Sequence, residues 1–197
     1  MIHPDTQLQF IDDVVGYGVV ATKKIPKGTI TWVLDKFDRE FTPEEAANYE
    51  PMYQEILTKY TYRNQLGNLV LCWDFGRFVN HSFRSNCIST AYDFEIAVRD
   101  IEIGEELTND YGYLNISIPF QPKDENTLRK TVFPDDVLKY HSEWDKQVMD
   151  SLPFFTKVDQ PLEVLMPNNI VEEMHDIIKG NKILRSIIEN YFHDPQM

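Results

Sequence analysis

Arg77-Phe78-Val79-Asn80-His81-Ser82-Phe83-Arg84-Ser85-Asn86 is followed, a short distance on, by Gly104-Glu105-Glu106-Leu107-Thr108-Asn109-Asp110-Tyr111-Gly112. Upstream stand Gly16-Tyr17-Gly18-Val19 and Ile25-Pro26-Lys27-Gly28. Singly these blocks say little. Turns produce Gly-Tyr-Gly constantly. Taken alone, Tyr111 reads as a core tyrosine with its hydroxyl on backbone, His81 as a satisfied structural histidine and Glu105-Glu106 as a solvated turn. In this order and at these spacings they are strong evidence together.

Outward from these blocks, residues 1–118 read as short strands and turns. Leu8 and Phe10 alternate with polar neighbours, Gly16-Tyr17-Gly18 reads as a turn, and Thr29 to Leu34 is β-branched and apolar. Leu69 to Trp73 is a strand, and Ser89 to Tyr92 with Phe94 to Val98 forms a hairpin about Asp93. A helical insert spans about residues 42–66. Thr42-Pro43-Glu44-Glu45 carries a cap, a first-turn proline and a capping box, and Pro51 divides the helix. Tyr60 and Tyr62 then share one face of an extended stretch.

From residue 119 onward the pattern is helical: His141 to Met149, Asn168 to Lys179 closed by Gly180, and Lys182 to Phe192 with an Ile/Leu stripe. The fold class is therefore α+β, mainly β, with a helical region at residues 119–197. The Leu/Ile-rich faces of these helices must be buried, on the first region, in a homodimer or on another partner.

The chain has 197 residues, 42% of them hydrophobic, which is globular composition. Lys and Arg total 19 against 32 Asp and Glu, a net charge of −13. That excess argues against duplex nucleic acid, whose phosphates need a cationic face, and suits a basic partner such as a Lys-rich tail. Cys72 and Cys87 are the only cysteines, too few for a disulfide framework, so an intracellular compartment, cytoplasmic or nuclear, is expected. No apolar run approaches the length of a membrane span, and the first residues lack a signal-peptide pattern. Glu172-x-x-His175 is half of a helical metal motif without a second copy, so no metal site is expected.

The three blocks closely resemble the SET-domain family of protein lysine methyltransferases, over roughly residues 8–114. The shared signatures are Gly-x-Gly, Arg-Phe-x-Asn-His-Ser-Cys-x-x-Asn and Gly-Glu-Glu-Leu-Thr-x-Asp-Tyr. Departures are Phe83 for the common Cys, Ser85 for Pro and Asn109 for Tyr or Phe. The resemblance implies short sheets with a knot-like threading of the second and third blocks. It also implies S-adenosylmethionine as methyl donor and a protein lysine as acceptor. Tyr111 would be the essential tyrosine of the methyl-transfer pore. Gly16, Tyr17, Gly18, Arg77, Phe78, Asn80, His81 and Tyr111 itself would hold the cofactor. The lysine channel would draw on Tyr60, Tyr62, Asn109 and Tyr113, with Tyr62 favoured as the catalytic aromatic, since Tyr60 can equally close the preceding helix.

Many such proteins continue into a Cys-x-Cys-x4-Cys zinc segment. Aligning Arg129 with the arginine after its last Cys puts Gln121, Lys123 and Leu128 at the cysteine positions. None is a thiolate, so zinc is not expected, and the helical region stands in that segment's place. The competing reading is a SET-like module that binds cofactor or peptide but has lost turnover, with Asn109 and the missing cysteines as its support.

Overall fold

The computed structural model describes residues 1–193. Strands β1 (Thr6–Asp12) and β2 (Gly16–Ala21) form an antiparallel hairpin with Phe10 opposite Tyr17. The turn between them is made by Asp12, whose carboxylate accepts the N–H groups of Val14 and Val15 at 2.8 and 2.9 Å. Gly16, at φ +77°, leads out of that turn into β2. Gly16-Tyr17-Gly18 is thus the start of a strand, not the turn expected, because Asp12 closes the reversal earlier.

Strands β3 (Ile30–Val33) and β4 (Arg39–Phe41) precede helices α1 (Pro43–Ala47) and α2 (Pro51–Tyr60). Thr42 accepts the Glu45 N–H at 3.2 Å while the Glu45 carboxylate accepts the Thr42 N–H at 2.8 Å, so the capping box is complete. Then come β5 (Thr61–Arg63), β6 (Leu69–Leu71), β7 (Asn80–His81), β8 (Cys87–Ser89), β9 (Phe94–Ala97) and β10 (Thr108–Asn109). Tyr60 closes α2, and only Tyr62 is in the extended stretch, which corrects the shared strand face. The hairpin about Asp93 is present, with that residue at φ +59°.

Two antiparallel sheets have the orders β3-β9-β8 and β4-β6-β5, and β7 pairs with β10 in parallel. In that parallel pair Thr108 lies opposite Asn80 and Asn109 opposite His81. It brings the two decisive sequence blocks side by side.

Helices α3 (Asp136–Met149), α4 (Leu152–Phe155) and α5 (Asn168–Ile178) follow. At the end of α5 the Gly180 N–H reaches the Ile177 carbonyl at 2.9 Å and the Asn181 N–H reaches that of Asp176 at 2.8 Å. These two bonds are a Schellman motif, which needs the left-handed backbone that Gly180 adopts at φ +77°. Val137, Trp144, Val148, Leu152, Phe155 and Met174 enter one core with Ile30, Ile88, Phe94, Ile96 and Tyr113. The helical faces are therefore buried on the sheet that carries the site. A second core joins Val19, Ile25, Trp32, Val79, Ile101 and Leu107 beneath the β1–β2 hairpin.

The expected helix over 182–192 does not form; only Ile187–Asn190 makes a short 3-10 turn. Its backbone donors are taken by tertiary partners instead. The Arg185 N–H donates to the Tyr92 hydroxyl at 2.9 Å, and that of Ile187 to the Asp145 carboxylate at 2.8 Å. Ile183 stays exposed.

Candidate active site

Asn86 is the fastener between the two blocks. Its Oδ1 accepts the Thr108 N–H and its Nδ2 donates to the Glu106 carbonyl, both at 2.8 Å, in a side chain that is buried. The Ser82 N–H donates to the Asn109 carbonyl at 2.9 Å. A buried residue with this donor–acceptor pair fixes the register of neighbouring segments, because leaving either group unpaired is costly.

His81 serves the same junction. Its Nδ1 accepts the Tyr111 N–H at 3.1 Å, so the ring hydrogen sits on Nε2, which is buried without a partner. Phe83, Tyr111 and Phe120 surround the ring with centroids 4.6, 5.5 and 5.7 Å away. Burial brings the imidazole pKa down to about 4, so it is neutral at pH 7.

Tyr111 opens a 3-10 turn (Tyr111–Tyr113) capped by Asp110, whose Oδ1 accepts the Gly112 N–H at 3.0 Å. Its hydroxyl donates to the Val79 carbonyl at 2.7 Å. Burial raises the phenol further above its ordinary range, so it stays protonated.

Tyr111 and Val79 line a cavity of about 370 Å³ together with Tyr60, Tyr62, Asn109 and Tyr113. Tyr62 stands edge-on to Trp32 at 6.1 Å, and Tyr60 packs on Phe78 at 5.3 Å. Tyr113 contributes a wall, its hydroxyl being spent on the Cys87 carbonyl at 3.3 Å and the Asp110 N–H at 3.2 Å. Arg77 also borders the cavity, donating to the Trp73 carbonyl at 2.9 Å with its guanidinium over Phe78.

Tyr17, Gly18 and Asn80 gather elsewhere, around Glu106, with Gly16 next to them in the chain at the start of β2. Asn80 Nδ2 donates to the Glu106 carboxylate at 2.7 Å and to the Tyr17 carbonyl at 3.0 Å. A Cβ on Gly18 would lie 2.2 Å from Glu106 Oε1 and 2.8 Å from Ile11 Cγ1, so any side chain there would have to push the carboxylate out of its place beside Asn80. A Cβ on Gly16 would face open space, and Tyr17 is about half exposed. Glu106 is half-buried, and that burial raises its pKa; it is not the solvated turn residue expected.

Two further residues carry weight: Glu95, which the sequence did not announce, and Arg129, which it marked only as an alignment point. Glu95, on β9, is buried and borders the cavity, with Asn109 Nδ2 donating to its Oε1 at 2.7 Å and Ser89 Oγ at 3.1 Å. Burial pushes its carboxyl up to about 7. The only hint in the sequence is an acid inside the apolar run Phe94-Glu95-Ile96-Ala97. Arg129 binds Asp110 through Nη1 and Asp136 through Nη2, the latter at 2.7 Å, and lies over the rings of Phe83 and Tyr140 at 4.6 and 4.4 Å. Phe83 is thereby accounted for as the floor under this guanidinium. Among the described residues no group of three or more His, Cys, Asp and Glu is arranged to hold a metal ion.

A sequence model of the SET domain matches residues 16–112. The chain belongs to the SET-domain family. Family membership places it among the methyltransferases. The SET domain runs from Gly16 through Gly112, so it holds both the cavity wall at Tyr111 and the cluster at Glu106, while Arg129 reaches back into it from beyond. Among solved structures it is similar to a Plasmodium falciparum protein described as a putative histone methyltransferase, at 18% identity. That likeness covers 56% of this chain and 95% of the other, with a TM-score of 0.41, too loose an overlap to bear on activity.

Proposed function

We propose that this SET domain transfers a methyl group from S-adenosylmethionine to the side-chain amine of a lysine in a protein substrate. The observation that supports it most is the buried Tyr111 hydroxyl, held on the Val79 carbonyl at 2.7 Å in the wall of an aromatic cavity. The residues around Glu106 fit the donor. Asn80 and the Glu106 carboxylate would hold its ammonium end, Tyr17 would cover it, and the open side of Gly16 leaves the backbone approachable. When bound, the donor supplies an electrophilic methyl on a sulfonium.

The chain's own part is positioning and dehydration. The amine must be neutral at the moment of transfer, against a pKa of about 10.4 in water, and burial in the cavity favours the neutral form. Tyr60, Tyr62 and Trp32 line that cavity, and alignment of the reacting atoms is worth roughly 7 kcal/mol or more in well-oriented systems. Tyr111 and the Val79 carbonyl offer oxygens along the methyl's path. The acidic total favours a basic substrate segment, and an intracellular setting suits the two free, buried cysteines. A binding module without turnover is the second reading, and Asn109 at the cavity wall is what favours it.

Calorimetric binding of S-adenosylmethionine, with and without a strong chelator, followed by tritium transfer onto a protein lysate, tests the proposal. Binding insensitive to chelator and label on lysine are expected. Absence of binding, or label that never reaches lysine, would overturn it.

A further inference from the structure

Around Glu95 and Asn109 the cavity wall presents acceptors that lack donors, while Trp32 Nε1, also in the wall, is a buried donor without a partner. Tyr111 and Tyr113 spend their hydroxyl hydrogens on backbone carbonyls, at 2.7 and 3.3 Å. Ser89 and Asn109 spend theirs on Glu95, and both bonds arrive at Oε1. Among the described residues the bonds to Glu95 leave Oε2 without a donor from the protein, and Asn109 Oδ1 is buried with no partner. A buried carboxylate beside an orphaned carbonyl is costly unless a donor completes it. An ammonium group, with three N–H donors and no acceptor, is the complementary chemistry.

We propose that Glu95 is the base of the acceptor site, pairing with the incoming lysine ammonium and taking its proton before transfer. The proposal rests on the reading given under Proposed function. In the step, one N–H bond breaks and an O–H bond forms on Glu95, leaving a neutral amine and a neutral carboxylic acid. The nitrogen lone pair then forms the N–C bond as the methyl–sulfur bond breaks, its electron pair remaining on sulfur. The product is a methylammonium, and the proton on Glu95 leaves through the cavity mouth to solvent. Asn109 orients the acid by its 2.7 Å bond. A carboxyl that titrates near neutrality, as burial makes this one do, is matched to accepting a proton and releasing it again.

The test uses N-acetyl-lysine methylamide and its uncharged twin, N-acetyl-norleucine methylamide, titrated into the full chain at about pH 8 and followed by NMR. Wild type should prefer the lysine probe by roughly tenfold or more, the worth of a hydrogen-bonded charge. Glu95→Gln, of the same shape, should lose that preference while binding norleucine as before, and Glu95→Asp should keep part of it. A preference equal in wild type and Glu95→Gln, no preference in wild type, or no binding of either probe by wild type would each overturn the assignment. Cofactor binding does not involve Glu95, so loss of the methyltransferase reading would show separately, as failure of S-adenosylmethionine to bind wild type.

Discussion

The guanidinium of Arg129 is bonded to the carboxylate of Asp110, the residue immediately before Tyr111. Both ends are largely buried, with side-chain exposures of 17% and 1%, and Asp136 at the start of α3 shares the same arginine. This ion triad ties the segment around Arg129 and the start of α3 onto the Tyr111 turn.

Removing that arginine should cost more than a surface ion pair would, since it strands two buried carboxylates. Arg129→Ala is expected to lower unfolding free energy by about 3–5 kcal/mol in urea titration. Arg129→Lys should recover only part, because a single ammonium cannot span both acids as the planar fork does. A loss below about 1 kcal/mol for the alanine variant would show that the triad is dispensable.

Tyr111→Phe takes away one hydroxyl and leaves the ring among His81 and Phe120. Stability should fall by only about 1 kcal/mol, the usual net worth of one hydrogen bond. Turnover should fall by at least about tenfold, equivalent to ~1.4 kcal/mol of transition-state stabilisation. Single-turnover rates that match wild type would take Tyr111 out of the mechanism.

Glu95 also sets a pH dependence of stability. Its folded pKa, about 7, lies above the ordinary 4.5, so the folded state holds a proton that the unfolded chain gives up first. The stability this contributes is complete below pH 4.5 and is lost as pH rises through about 7. Glu95→Gln cannot suffer that loss. Its melting temperature relative to wild type should therefore rise between about pH 5 and pH 8, by the equivalent of up to about 3 kcal/mol. His81 acts in the opposite sense, since its pKa is depressed to about 4 and its stability is lost as pH falls below 6.5. Taking variant minus wild type cancels that term, and a difference flat across the range would refute the shift.

Product multiplicity follows from Asn109. In the resembled family a Tyr at this place tends to restrict the product and a Phe leaves room for more methyls, and the shorter amide, bonded to Glu95 in the cavity wall, fills less space than either ring. Di- or trimethylated lysine is expected in a saturated reaction, and Asn109→Tyr should shift it toward monomethyl. Mass spectra that stop at one added methyl in wild type would contradict the volume argument and point to Tyr60, Tyr62 or Tyr113 as the filler.

Local chemistry was easy to read from the sequence where one short stretch decides its own structure. Thr42 with Glu45, the break at Pro51 and the stop at Gly180 all act within a turn or two of themselves, and all three formed as read. The three family blocks were legible for a different reason: their residue types are demanded by the junction, as Asn86 and His81 show. What stayed hidden depends on partners far along the chain. Nothing near Lys182 says that Tyr92 and Asp145 will take the backbone donors of the segment that follows it. Nothing near Arg129 announces Asp110, and Glu95 draws its meaning from Asn109, on another strand. Glu106 was misread because a doublet of acids after glycine is usually solvated, whereas Asn80 recruits this one inward.

The side chain of Asn190 donates to the carbonyl of Thr90 at 3.0 Å, and that of Gln160 to the carbonyl of Gly28 at 2.8 Å. Partners so distant in sequence should slow assembly, because search entropy is spent before contact energy is returned. During synthesis, a ribosome that has released only the strands and the Tyr111 turn holds a chain whose sheet still waits for α3 and α4. Such a nascent chain exposes Ile88, Phe94 and Ile96 to chaperones or to aggregation, and protease resistance in arrest experiments should arrive abruptly and late, after the Ile187 turn has cleared the exit tunnel.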